Sequence, residues 1–230
     1  MKLSVVIPAY NEQATIRQVV DNVKMIDIDK EIIIVDDGST DGTGDIIKRV
    51  KSEKNNQVRA VHHPKNKGKG AAIRTGIRFA SGDIILIQDA DLEYDPNDYY
   101  KLVKPILEGK AAVVYGSRRL NKSNKQYSGL QYYLGGLFLT LLTNMLYGTS
   151  ITDEPTCYKV FKKEVIKNMK LRCERFEFCP EVTAKIAKKK IKIYEVPISY
   201  HPRHKKEGKK IDFGDFIEAI WTLVKYRFLK

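Results

Sequence analysis

Residues 32–43 read IIIVDDGSTDGT. Four consecutive β-branched residues without polar alternation suit a strand buried on both faces, as in a parallel sheet. The polar cluster behind them ends the strand and opens a helical stretch over 42–50. The same order recurs on either side. Residues 3–8 (LSVVIP) lead into Pro8-Ala9-Tyr10-Asn11-Glu12 and a helical stretch at 14–23, residues 58–62 into one at 71–79, and residues 84–87 (IILI) into Gln88-Asp89-Ala90-Asp91-Leu92-Glu93. Strand and helix alternating in this way predict a right-handed, doubly wound, mainly parallel α/β sheet. Such sheets bind ligands beyond the carboxyl ends of their strands, where three polar clusters stand in this chain. A turn with a helix N-cap is the plain reading of Ser39–Thr43. It leaves one of the adjacent carboxylates of Asp36 and Asp37 without a task.

Beyond residue 110 the grammar loosens. Residues 111–116 read as a strand, 117–125 as a basic loop, 130–147 as an uncharged helix, 157–161 as a strand, 180–189 as a helix, 191–196 as a strand and 213–229 as an amphipathic helix. No repeat or low-complexity linker divides the chain, so 1–230 is expected to form one domain.

Composition narrows the partners. With 230 residues and 43% hydrophobic content the chain is neither disordered, collagenous nor coiled-coil. Its formal charge of +13 is uneven, because residues 159–230 hold 20 Lys and Arg against 9 Asp and Glu. An anionic partner is implied: nucleic acid, acidic lipid or a phosphorylated substrate. Cys157, Cys173 and Cys179 are an odd set without metal-ligand spacing, which argues against a disulfide framework and a zinc site and fits a reducing compartment. No signal-peptide pattern opens the chain. Residues 126–151 carry no charge, but Gln131, Gly135, Gly136, Thr140, Thr143, Asn144 and Gly148 interrupt them, which makes a poor membrane span. Two stripes could instead lie on a membrane: Leu134, Leu137, Phe138, Leu141, Leu142 and Met145, and the last helix with Phe213, Phe216, Ile217, Ile220, Trp221 and Val224 flanked by Lys225, Arg227 and Lys230. Core packing is the alternative for each.

Asp89 and Asp91, ending a buried strand, form a hard-ligand site for Mg²⁺ or Mn²⁺ of the kind that binds a diphosphate, with Glu93 as a candidate third ligand. A capped turn before Pro96 would use the same residues. The Lys65-Asn66-Lys67-Gly68-Lys69-Gly70 run opens a helix with a geometry suited to anions, Lys69 being its best-placed cation. A solvated loop is the competing reading.

VVIPAYNE at 5–12, VDDGSTDGT at 35–43 and DADLEYDP at 89–96 resemble the signatures of inverting family 2 glycosyltransferases of GT-A fold. GSR at 116–118, TDEPTCYKVF at 152–161, RFEFCPEVTAKIAKKK at 175–190 and YEVPISYHPRHKKEGKKI at 194–211 resemble the dolichol-phosphate mannose synthase branch. The resemblance runs from about residue 3 to the end. It implies a nucleotide-binding half at 1–116, an acceptor half at 117–200, and a basic loop with an interfacial helix at 201–230. Pro8, Tyr10 and Glu12 would meet the base or ribose and Asp37 the base edge, with Val35 and Ala90 beside the nucleotide and the Asp-x-Asp holding the metal against the diphosphate. That branch often carries Gln where this chain has Glu93.

The implied reaction moves a sugar, mannose from GDP-mannose before others, to a polyprenyl phosphate such as dolichyl phosphate, with UDP-glucose or another UDP-sugar as the alternative donor. A phosphate acceptor is already anionic and needs no general base, but it does need positive charge. Arg118 is the best candidate, followed by Arg203, Lys209 and Lys210; Arg118 paired with a carboxylate is the plainer reading. Asp153 would orient the sugar or an arginine, or cap an element. Glu177 and Glu181 would touch sugar hydroxyls or balance lysines. The branch often has a basic residue near the start of the long uncharged helix, where this chain has Tyr127, Gln131 and Tyr132. Larger family members add C-terminal membrane spans. Here the expectation is a peripheral protein on the cytoplasmic face, alone or with a membrane-anchoring partner. A nucleic-acid-binding module is the reading from another class, but acidic clusters at three strand ends would repel a polyanion.

Overall fold

The computed structural model describes residues 1–53, 57–124, 129–203, 210 and 212–228. Strands β1 (Leu3–Ala9), β2 (Lys30–Asp36), β3 (Val58–His62) and β4 (Ile84–Ile87) alternate with helices α1 (Ile16–Met25), α2 (Thr43–Ser52) and α3 (Lys69–Phe79). Then follow α4 (Tyr99–Leu107), β5 (Val113–Ser117), α5 (Leu130–Tyr147), β6 (Lys159–Lys162), α6 (Lys163–Lys167), α7 (Phe178–Lys188), β7 (Ile193–Pro197) and α8 (Phe213–Phe228).

The seven strands form one sheet in the order β3-β2-β1-β4-β6-β5-β7. All neighbours are parallel except around β6, which runs antiparallel to both β4 and β5. The unbroken apolar runs have the expected cause, since alternate side chains enter opposite cores. Val5, Ile7, Ile32, Ile34 and Leu86 pack with α1, α2 and α4, whereas Val6, Ile33, Val35, Ile85 and Ile87 pack with α3, α6 and α7. The strand order reverses beside β1 and β4, whose carboxyl ends carry Tyr10–Glu12 and Asp89–Asp91.

A third, smaller core joins α5 to α8 through Leu139, Ala219 and Leu223. It takes only part of the two stripes, since Leu142, Phe216 and Ile220 pack against it. Leu134, Phe138, Leu141 and Met145 on α5 and Phe213, Ile217 and Trp221 on α8 are exposed. Ring contacts from Phe138 to Phe216 (5.9 Å) and from Phe216 to Phe213 (6.0 Å) make the two stripes continuous. Among the described residues no helix is long and apolar enough to cross a membrane.

Candidate active site

The loops beyond β1, β2 and β4 interlock. Asn11 takes the left-handed conformation (φ 50°); its N–H donates to Ser39 Oγ (3.0 Å) and its carboxamide oxygen accepts from Thr40 N–H (2.8 Å). The Glu12 N–H donates to Thr43 Oγ1 (2.8 Å). Asp36 builds the turn, accepting from Ser39 N–H (3.0 Å). These loops open onto a cavity of about 2030 Å³ whose wall includes Pro8, Tyr10, Glu12, Asp37, Ala90 and Arg118.

Asp89 and Asp91 stand together in that wall, each almost fully buried. Burial opposes the charge on Asp89, but Lys69, 2.6 Å away, and the Cys157 thiol hold its carboxyl below the usual range. Asp91 is pushed up to about 7, first by burial and then by the charges of Asp89 and Glu93, although Arg203 lies 2.7 Å away. Two buried carboxylates, one of them so poorly compensated, suit a hard divalent cation. Glu93, beside them, is engaged by its neighbours. Its Oε1 accepts from Arg203 N–H (2.8 Å) and its Oε2 from the Tyr200 hydroxyl (3.2 Å), so it pins residues 200–203 across the strand end. Among the described residues no three His, Cys, Asp or Glu side chains are grouped to hold a metal by themselves.

Several candidates take other places than expected. Val35 is fully buried in the core against α3 and does not line the cavity. In the first turn of α3 two amides are already engaged, because Gly70 N–H donates to Arg175 O (2.9 Å) and Ala71 N–H to Glu174 O (3.0 Å). The Lys69 ammonium lines the cavity, and its Nζ also donates to Cys157 Sγ (3.2 Å). Asp37 lines the cavity, but both its oxygens are engaged by Lys67 N–H, Gly68 N–H and His63, leaving little capacity for a base edge. Arg203 bridges Asp91 (2.7 Å) and Glu12 (3.1 Å). Lys210 reaches Glu12 (2.8 Å) and the carbonyl of Tyr10. Lys209 and Tyr127 lie outside the described residues. Glu177 accepts from the N–H groups of Glu174 and Arg175, and Glu181 is buried beneath α8; both are structural.

Arg118 and Asp153 form a buried, two-pronged pair: Nε donates to Oδ2 and a terminal nitrogen to Oδ1, both at 2.7 Å, and the Arg118 N–H adds a third bond at 2.9 Å. Arg118 also stacks over Tyr200, 5.0 Å from the ring centroid. Asp153 is thus the group that orients the arginine, and only part of the guanidinium faces the cavity. Next to it stands a cation that sequence reasoning missed. Arg119 bends to the first turn of α5, donating to Tyr133 O (3.2 Å) over the Tyr133 ring (4.8 Å), and lines the cavity near the place where Gln131 and Tyr132 offered no charge. Its position follows from the turn after β5, which no local pattern reveals. Cys157 and His63 were missed in the same way, since their partners are distant in sequence.

A mainly parallel sheet with acidic loops at the reversal of strand order, a carboxylate pair and a ring of cations defines a GT-A glycosyltransferase. The chain matches the family model for glycosyl transferase family 2 over residues 4–170 and belongs to that family. It is 37% identical over 209 residues to the UDP-N-acetylglucosamine–dolichyl-phosphate N-acetylglucosaminyltransferase of Methanococcus voltae, covering 84% of this chain and 83% of the relative. It is 30% identical to the undecaprenyl-phosphate 4-deoxy-4-formamido-L-arabinose transferase of Proteus mirabilis, over 97% of this chain and 67% of that one. In fold it resembles glucosyl-3-phosphoglycerate synthase of Mycobacterium tuberculosis, crystallised with Mn²⁺, UDP and phosphoglyceric acid (TM-score 0.73, 21% identity, 100% of this chain and 79% of that one).

Proposed function

We propose that the protein transfers a sugar from a nucleotide sugar to a polyprenyl phosphate at a membrane surface. The observation that carries this reading is one continuous cavity lined both by Asp89, Asp91 and Lys69 and by Leu134, Phe138 and Phe213 of the exposed apolar stripes. A substrate with an anionic head and an apolar tail matches such a wall, and the basic excess of residues 159–230 matches an anionic lipid surface. Docking through α5 and α8 makes the protein peripheral, and the anionic cytoplasmic leaflet is the favoured side.

For the donor, the relative that acts with UDP-N-acetylglucosamine supports the UDP-sugar alternative over GDP-mannose. Asp89 and Asp91 would hold Mg²⁺ or Mn²⁺, which when bound supplies positive charge to the departing diphosphate. Lys69 binds the anionic donor. Arg118, fixed by Asp153, and Arg119 place the acceptor phosphate. A phosphate oxygen forms the new bond to C1 of the sugar as the bond from C1 to the diphosphate breaks. No proton has to be removed from the acceptor, so no side chain is needed as base.

The test is transfer to a short polyprenyl phosphate from UDP-N-acetylglucosamine, UDP-glucose and GDP-mannose in parallel, with Mn²⁺ and with chelator, read as lipid-linked sugar by mass spectrometry. Transfer from a UDP-sugar is expected. Absence of transfer from every donor, together with salt-sensitive binding to DNA, would refute the reading.

A further inference from the structure

Two consecutive carboxylates meet two consecutive histidines at the ends of β2 and β3. Asp36 faces His62 Nδ1 (2.9 Å), whose ring stands mostly in solvent, whereas Asp37 faces His63 Nδ1 at 2.6 Å with both residues buried. The parallel register brings this about: Asp36 lies opposite His62, and the His63 N–H extends the ladder to Asp36 O (2.8 Å). A carboxylate only accepts, so the His63 proton sits on Nδ1. Nε2 on the other side of the ring lies 3.0 Å from the Thr75 hydroxyl of α3.

We infer that His63 is a positioning residue: by orienting Asp37 it fixes the loop at 65–68 and so places the Lys69 ammonium for the donor diphosphate. The contacts run without a gap. Asp37 Oδ1 receives His63 and Lys67 N–H (3.1 Å), and Oδ2 receives Gly68 N–H (2.7 Å). Gly68 holds φ +94°, where a Cβ would stand 2.3 Å from Glu174 O, so the loop has one way through. The turn at Gly38 presses on it from the other side, a Cβ there meeting the Lys65 carbonyl carbon at 2.5 Å. The next residue is Lys69, 2.6 Å from Asp89. His63 itself lines the cavity. The inference rests on the donor reading above and adds how the phosphate-facing cation is held.

The test uses full-length His63→Ala, His63→Asn and His63→Gln. The Asn amide nitrogen falls near the position of Nδ1 and can donate to Asp37, whereas the longer Gln amide cannot from the same place. Hydrogen exchange of the segment 65–68 is read without nucleotide, and UDP and uridine affinities are read by calorimetry with Mg²⁺. Faster exchange and about a tenfold weaker UDP affinity are expected in Ala and Gln, as for loss of a bond to a charged group, with uridine affinity unchanged and Asn restoring both signals. Exchange or UDP affinity in His63→Ala equal to wild type, or an Asn variant no better than Gln, would overturn the inference. A wild-type protein that binds neither UDP nor GDP overturns the donor reading itself, and this inference with it.

Discussion

Asp153→Asn separates a structural from a ligand-binding role for the best acceptor candidate. The Asp153 carboxylate is inaccessible to solvent and accepts three bonds from Arg118. Asparagine keeps the shape, but its NH₂ group would face a guanidinium donor, and the arginine charge would lose its counter-ion. Breaking a buried pair from one side costs about 3–5 kcal/mol. The Arg118 side chain retains 21% exposure, so water relieves part of the loss and the low end applies, about 3 kcal/mol. For a chain of this size that lowers Tm by about 6–12 °C. Burial works against the Asp153 charge, yet Arg118 more than offsets it and holds the carboxyl below its usual range. The sign follows. The contribution is present above the unfolded value, about 3.9, and is lost as pH falls through the lower folded value. Urea denaturation of both proteins should therefore show the full gap at pH 7 and a closing gap below about pH 4. A gap under about 1 kcal/mol at pH 7, or one that does not change with pH, would refute the pairing and free Arg118 for an anion.

Glu181 accepts from Arg172 N–H (2.8 Å), Cys173 N–H (2.6 Å), the Tyr226 hydroxyl (2.8 Å) and Lys185, tying α8 to the segment that covers α3. Although burial raises its carboxyl, Lys185 and these donors bring it below the usual range, so Glu181→Gln should lose about 1–3 kcal/mol at neutral pH and nothing in acid below the folded value; Trp221, the single tryptophan and a residue of α8, reports it by fluorescence-detected denaturation. Asp91→Asn should remove turnover and metal-dependent nucleotide binding while leaving the urea midpoint equal to wild type or higher, because burial and two neighbouring carboxylates already disfavour that charge. A lowered midpoint with turnover retained would show Asp91 to be structural.

What could be read from the sequence divides by distance along the chain. The β-branched runs at 3–8, 32–35 and 84–87 declare buried parallel strands because burial on both faces removes alternation, and the polar residues that end them must lie at the crevice. The β6 run declares no direction, since a short apolar strand looks the same either way, and only its place between β4 and β5 makes it antiparallel. Five-residue α6 is too short to show a period. Arg118 was legible as a cation after a strand, but its partner lies 35 residues away. Asp37 and His63 meet through strand register, which one sequence leaves unspecified. The apolar stripes of α5 and α8 were visible as patterns, yet exposure rather than burial is decided by the absence of a further layer over them among the described residues.

Four cations of the site are paired with carboxylates. Lys69 has Asp89, Arg203 has Asp91 and Glu12, Lys210 has Glu12, and Arg118 has Asp153. Under the proposed function a diphosphate would bind by exchange: it would take Lys69 or Arg203, and the carboxylate left behind would have to meet another positive charge, since a bare buried one costs several kcal/mol. The two pairs differ in what they can release. Asp153 is held by two bonds from the Arg118 guanidinium and one from its backbone N–H and surrenders nothing cheaply, so Arg118 would meet an acceptor with its remaining edge and keep its orientation. Asp91 is the least compensated carboxylate, and Arg203 is shared between it and Glu12, with Nε buried and without a hydrogen-bond partner among the described residues. Exchange should begin there, with the Arg203 side chain moving aside and Arg118 staying in place on Tyr200. In the proposed reaction donor binding and acceptor placement would then be served by ion pairs of opposite character, one that opens and one that holds.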